Sequence, residues 1–157
     1  MDPLEAARAK LVEAFGNVGM PPAISLRGGN ALDDYEEPPP FDPELDRPTD
    51  EYIERYYHGI HFLDADSWHH YLPVLLGYAL GHPESESMAL DTLLFSLDPR
   101  NGDYPVFPCL SSSQAAAVRG ALEVLLEQAD EFDRPEFALA LERVWEIDDA
   151  NDPDDSQ

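Results

Sequence analysis

Apolar residues recur at helical spacing through most of the chain, and this pattern predicts an all-α fold. The clearest stripe places seven apolar side chains at offsets of 0, 3, 4, 7, 8, 11 and 12 residues, as on one face of a helix. Asp64 or Asp66 suits the cap of this helix. Pro73 predicts a kink or a break within it, because proline cannot donate to the carbonyl of His69. The stripe comprises Trp68, Tyr71, Leu72, Leu75, Leu76, Ala79 and Leu80.

Shorter stripes with capping residues predict further helices, which gives five or six in one compact domain over residues 1–146. Ser111 and Gln114 have the spacing of a capping box. Pro3 suits the first turn of the first helix, and Gly16 suits its end. The other helices are predicted to start at Thr49, Ser87, Ser111 and Asp133.

The apolar periodicity disappears between residues 17 and 46. The pair Gly28-Gly29 indicates a turn, and Ala23 to Leu26 has at most the character of a short extended piece. We therefore expect a long, acidic, proline-rich loop over about residues 28–48, following the first helix. Residues 147–157 are expected to form an acidic C-terminal tail.

The charge of the chain restricts its partners. Its 33 Asp and Glu residues face only 9 Lys and Arg, which gives a net charge of −24. Such a surface repels nucleic acid phosphates and anionic lipid heads, and it attracts basic proteins. The charge predicts a basic protein partner, no nucleic acid partner and no membrane.

The acids fall into two blocks. From Glu146 to Asp155 there are six acids and no base, as in a plain solubilising tail. Between Asp33 and Glu51 nine acids accompany a single arginine, together with prolines and aromatic rings. Arginine pairs with carboxylates and stacks on rings, so this block is the candidate partner-binding site. Its residues are Asp33, Asp34, Tyr35, Glu36, Glu37, Phe41, Asp42, Glu44, Asp46, Asp50, Glu51 and Tyr52.

A cluster of histidines and aspartates offers an alternative, metal-based chemistry. His58, His61, Asp66 and His70 are potential metal ligands that lie within a short stretch. Simple roles account for the same residues, since a histidine near a helix end and an aspartate at a cap are common. No zinc or di-iron spacing such as H-E-x-x-H appears, so the expectation is no metal and no cofactor.

Other features exclude further classes of protein. Cys109 is the only cysteine, which excludes an internal disulfide and a cysteine-rich zinc site. There is no G-x-S-x-G elbow and no phosphate-binding glycine motif, so no catalytic residue is assigned. No apolar run approaches the length of a membrane span, and the start of the sequence lacks the pattern of a signal peptide. The expected location is the cytoplasm.

The segment from Phe62 to Pro73, FLDADSWHHYLP, resembles the signature of a family of small, mostly bacterial proteins that is defined only as a domain of unknown function. Weaker similarities extend over about residues 4–126. The resemblance implies one compact helical domain and includes Pro73 in the family pattern. It implies no activity, cofactor or catalytic residue.

Three classes of function remain open on this sequence. The first is an acidic binding protein that neutralises or holds a basic partner, most concretely an immunity protein that occludes a cationic toxin, with mimicry of nucleic acid charge as a variant. The second is a metal-dependent enzyme or sensor that uses the cluster between His58 and His70. The third is a structural protein whose charge serves solubility alone.

Overall fold

A computed structural model of the chain describes residues 2–16, 22–82, 87–97, 110–129, 131 and 134–150, without the side chains of residues 65 and 143–150. All regular structure in this part of the chain is helical, which confirms the all-α fold. It holds eight helices rather than five or six. They are α1 (Pro3–Phe15), α2 (Leu26–Asp33), α3 (Asp50–Arg55), a 3-10 helix (Tyr57–Phe62), α4 (Ala65–Gly81), α5 (Met88–Leu97), α6 (Ser112–Gln128) and α7 (Arg134–Ala150).

Side-chain caps begin the helices where the sequence predicts them. The carboxylates of Asp2 and Asp64 accept from backbone N–H groups in the first turns of α1 and α4. Thr49 accepts from the N–H of Tyr52 at the start of α3. Ser111 and Gln114 form both hydrogen bonds of the capping box on α6. These local bonds satisfy N–H groups that have no partner within the helix.

Helix α4 is the centre of the core, and all seven residues of its apolar stripe are buried. The sequence predicts a kink or a break at Pro73; the helix runs without interruption from Ala65 to Gly81, so there is no break. Proline removes one hydrogen bond from the helix. The burial of apolar residues on both sides of Pro73, including Trp68 and Leu76 with no exposed surface, compensates for that loss.

Helix α2 lies where the sequence predicts a turn and a loop. Ser25 caps it by accepting from the N–H of Gly28 at 2.8 Å, and Gly28 and Gly29 are both helical. The helix was missed because its two glycines disfavour a helix and leave no apolar stripe. As a result, the acidic non-helical segment follows α2 and not α1.

Gly29 of α2 faces Gly59 of the 3-10 helix, so the two helices pack with their backbones in contact. A Cβ added to Gly29 would lie 2.8 Å from the Cα of Gly59, and a Cβ added to Gly59 would lie 2.9 Å from the carbonyl carbon of Leu26. The helix predicted to start at Thr49 ends at Arg55. The chain continues as a tighter 3-10 helix that presents Gly59 to α2.

The remaining helices surround this centre. Helix α1 packs on α4 and α6, α6 also packs on α7, and α5 packs on the 3-10 helix and α7. Helix α7 extends to Ala150, into the predicted tail. Residues 151–157 of the predicted tail, and Cys109, lie outside the described residues. In the part of the chain that is described, no helix has the length and apolar character needed to cross a membrane.

Candidate interaction surface

Residues 34–49 join the end of α2 to the cap of α3, and none of them lies in a helix or strand. We call these residues, together with Asp33, the acidic segment. Its conformation depends on internal hydrogen bonds because it has no regular structure.

Asp46 fixes the middle of the acidic segment to α2. Its side chain is fully buried, and its two oxygens accept from Nε and Nη2 of Arg27 at 3.0 and 3.1 Å. The backbone N–H of Asp42 also donates to Asp46, at 2.8 Å, and Arg27 donates to the carbonyl of Pro40 at 3.3 Å. This bidentate ion pair and the bonds around it hold both halves of the acidic segment against α2.

Tyr52 adds a third donor to the same carboxylate. Its hydroxyl donates to Asp46 at 2.7 Å and accepts from the backbone N–H of Arg27 at 3.1 Å. Burial alone would raise the pKa of Asp46, but the hydrogen bonds from Arg27, Asp42 and Tyr52 outweigh it and lower that pKa. Burial raises the pKa of Tyr52, so its hydroxyl stays a donor. Arg27, Asp46 and Tyr52 therefore form a structural anchor, with a carboxylate at its centre that is ionised at neutral pH.

Asp42 organises a turn within the acidic segment. Its Oδ1 accepts from the N–H groups of Glu44 at 2.8 Å and Leu45 at 3.1 Å, and its carbonyl accepts from the N–H of Asp46. The turn directs Leu45 outward, where 62% of this apolar residue is exposed. An exposed leucine is thus held in place among carboxylates.

Tyr35 projects fully into solvent from the turn that ends α2. Its φ is 59°, the left-handed conformation that glycine usually adopts after a helix, and its exposed fraction is 100%. The N–H of Glu36 donates to the carbonyl of Ala31 at 2.8 Å, and the N–H of Tyr35 donates to that of Leu32 at 3.1 Å. This pair of bonds is a Schellman motif, which fixes the backbone at Tyr35 relative to α2.

An open cleft with a volume of about 380 Å³ lies between α2 and the acidic segment. Three acidic residues line it, Asp34, Glu36 and Glu37, together with Asn30 and Tyr56. Arg27 also lines the cleft, with its guanidinium already engaged by Asp46. A guanidinium or ammonium group from outside would meet three acidic residues there.

The predicted partner-binding residues fall into three groups by exposure. Asp46 and Tyr52 are buried, so they support the segment from inside. Phe41 and Asp42 are partly exposed, and the ring of Phe41 meets His70 edge to face at 6.2 Å. The exposed group comprises Asp33, Asp34, Tyr35, Glu36, Glu37, Glu44, Asp50 and Glu51.

The three histidines of the alternative metal cluster pack against aromatic rings, whereas Asp66 is exposed in the first turn of α4. His58 stacks near Tyr57, with ring centroids 4.2 Å apart, and His61 meets Phe95 edge to face at 5.7 Å. Burial lowers the pKa of both His61 and His70. Within the described ranges, no group of three or more His, Cys, Asp or Glu side chains is placed to hold a metal ion.

Sequence reasoning missed four residues of this surface. Arg27 and Asn30 lie on α2, where the sequence predicts a turn and a loop, and Tyr56 lies directly after α3. Leu45 stands singly between acids, so no pattern marked it. The one available signal was Arg27 itself, a rare base close to the acid block in a chain with nine bases.

The fold and this surface define a small, all-α, strongly acidic protein with an internally anchored acidic segment. The chain belongs to the DUF6714 family, a family of unknown function, whose family model matches residues 6–148. No curated protein matches the chain. No solved structure matches it either.

Proposed function

We propose that the protein binds a basic protein partner through the exposed part of the acidic segment, with Tyr35 as the central contact. The observation that carries the proposal is the fully exposed ring of Tyr35, held at positive φ between Asp34 and Glu36. Tyrosine flanked by carboxylates suits recognition of arginine, which can stack on the ring and pair with the acids.

The stability of the fold does not account for these residues. A non-glycine residue in the left-handed conformation costs roughly 1 kcal/mol. Asp33 and Asp34 stand at the C-terminal end of α2, where the helix dipole disfavours negative charge by about 0.3 to 1 kcal/mol each. Several unfavourable choices in one turn favour a role in recognition.

The anchor formed by Arg27, Asp46 and Tyr52 supports the same proposal. Because the segment is bonded to α2 and α3, binding would order little backbone. Association loses less affinity to ordering when the binding surface is preorganised. The cleft lined by Asp34, Glu36 and Glu37, which surround Tyr35 in sequence, would receive a basic side chain.

In its most concrete form, the partner is a cationic toxin and the protein is its immunity factor, which covers the toxin's basic substrate groove. Mimicry of nucleic acid charge is a variant in which the covered groove normally binds phosphates. Both forms predict that binding stops the activity of the partner. The exposed acids and Tyr35 supply the charge and the ring that such a groove would accept.

The test uses the whole chain to capture proteins from a lysate of the source organism, followed by calorimetry with the purified partner. The variant neutralises four acids around Tyr35 through Asp33→Asn, Asp34→Asn, Glu36→Gln and Glu37→Gln. A second variant removes four exposed acids of α1 and α6 through Glu5→Gln, Glu13→Gln, Glu123→Gln and Glu127→Gln, and it matches the loss of charge.

We expect the first variant to bind at least about tenfold more weakly, since it loses several charge-assisted contacts. The matched variant, and one with the acids of residues 152–157 neutralised, should retain most of the affinity. Equal losses in all three would show that affinity follows net charge and not this surface. Failure to capture any basic protein would contradict the proposal itself.

A further inference from the structure

A second pocket lies on another part of the molecule, between α1, the start of α3 and α4. Its volume is about 390 Å³, within the range of small-molecule sites. Most of its wall is apolar, and two charged residues, Arg8 and Asp50, also line it. The apolar wall consists of Leu11, Val12, Phe15, Ile53, Pro73 and Val74.

Gly77 of α4 lines the pocket and leaves unfilled space beside it. A Cβ added to this residue would meet no atom within 4 Å, so α4 leaves real space there. On the opposite wall Val12 is 71% exposed, which leaves an apolar entrance on α1. The pocket can therefore accept an apolar body without displacing side chains of the core.

The two charges of the pocket differ in their availability. Asp50 is already engaged, because its Oδ2 lies 3.1 Å from Nε2 of His82. Arg8 lies beside the last residue of α4, with Nη1 at 3.5 Å from the Cβ position of Gly81. Among the described residues no carboxylate lies within ion-pair distance of Arg8. The guanidinium is thus the polar group on which a ligand can be fixed.

We propose that this pocket binds a small monocarboxylic acid whose apolar body lies along α1 and α4 and whose carboxylate pairs with Arg8. The volume holds about a dozen non-hydrogen atoms if each occupies about the 30 Å³ of a liquid water molecule. A single guanidinium matches a carboxylate in a two-pronged pair. The net charge of −24 disfavours a dianion such as a phosphate monoester more than a monoanion.

The probes are octanoate and 3-phenylpropionate, with 1-octanol and octylamine as head-group controls, titrated into the whole chain by calorimetry. We expect the carboxylates to bind with a dissociation constant of about 1 mM or tighter. Arg8→Gln should weaken them at least about tenfold, since it removes a charge-assisted pair. It should leave any octanol binding unchanged.

Gly77→Leu should abolish binding by filling the space beside α4. Gly120→Leu is its matched control, because a Cβ at Gly120 on α6 also meets no atom within 4 Å. Val12→Glu, at an exposed position, provides an independent block that repels the carboxylate without altering the core. Circular dichroism confirms that each variant is folded.

The proposal is overturned if neither carboxylate binds, if acid and alcohol bind equally, or if Arg8→Gln has no effect. Binding of an apolar peptide without binding of the acids overturns it as well, and would identify a protein docking groove. Loss in Gly77→Leu and Val12→Glu, with retention in Gly120→Leu, supports it.

Discussion

Asp46 illustrates how two carboxylates of one acidic segment come to have different roles. Glu44, two residues earlier in the sequence, is exposed, whereas the Asp46 side chain is buried and paired with Arg27. The pattern of acids gives no sign of this difference. Asp46 differs from Glu44 because it faces Arg27, and Arg27 lies on a helix that the sequence pattern does not predict.

We predict that Asp46→Asn lowers the free energy of unfolding by about 2 kcal/mol. Breaking a buried ion pair costs about 3 to 5 kcal/mol, and the figure is reduced because the Arg27 side chain is 21% exposed. Urea denaturation at pH 7 measures the change. Glu44→Gln, in the same segment, is the control and should differ little from the native chain.

The same substitution should alter the acid sensitivity of the fold. The pKa of Asp46 is lowered on folding, so its contribution is fully present above the unfolded pKa of about 3.9 and is lost as the pH falls toward the folded pKa. Between about pH 5 and pH 3, Asp46→Asn should therefore lose less stability than the native chain. Parallel pH profiles for the two proteins would contradict the assigned role.

At Tyr35, stability and binding should respond in opposite directions. Tyr35→Gly should raise the free energy of unfolding by about 0.5 to 1 kcal/mol, because glycine adopts positive φ without strain. It should also weaken capture of the basic partner by removing the ring. Tyr35→Ala is the control, since alanine keeps the strain and loses the ring. Denaturant midpoints and calorimetry measure the two effects, and a destabilised Tyr35→Gly would refute the strain argument.

At the scale of elements, the sequence predicted what local chemistry determines. The stripe of α4 and the capping box of Ser111 and Gln114 depend on neighbouring residues, and both are present as predicted. Helix α2 depends on a distant contact between Gly29 and Gly59, which no local pattern contains. The cleft lined by Asp34, Glu36 and Glu37 was missed for the same reason, because α2 forms one of its walls.

The contact between α2 and the 3-10 helix gives a prediction at this scale. Gly59→Ala should destabilise the fold by about 3 kcal/mol, since the new Cβ would overlap backbone atoms of Leu26 and Asn30 that cannot move separately. Gly120→Ala is the matched control, because it adds a Cβ in open space and improves helix propensity by up to about 1 kcal/mol. Thermal unfolding of both variants measures the difference. A native-like stability of Gly59→Ala would mean that the two helices separate without cost.

At the scale of the whole molecule, the charge has two separable effects. It opposes the compact state through repulsion among exposed acids, and it draws a basic partner toward the surface. Salt weakens both effects, because the Debye length falls as ionic strength rises. The buried pair of Arg27 and Asp46 is screened much less, so it does not share this response.

Sodium chloride should therefore stabilise the free protein and weaken its complex. Between about 20 mM and 300 mM salt, we expect the native chain to gain roughly 1 kcal/mol, or about 3 °C in melting temperature. The variant lacking the carboxylates of Glu5, Glu13, Glu123 and Glu127 should gain less, because it starts with less repulsion. Calorimetry over the same range should show weaker binding of the basic partner as salt rises. A melting temperature that falls with salt would show that attractive surface pairs outweigh repulsion, and the net charge would then explain neither effect.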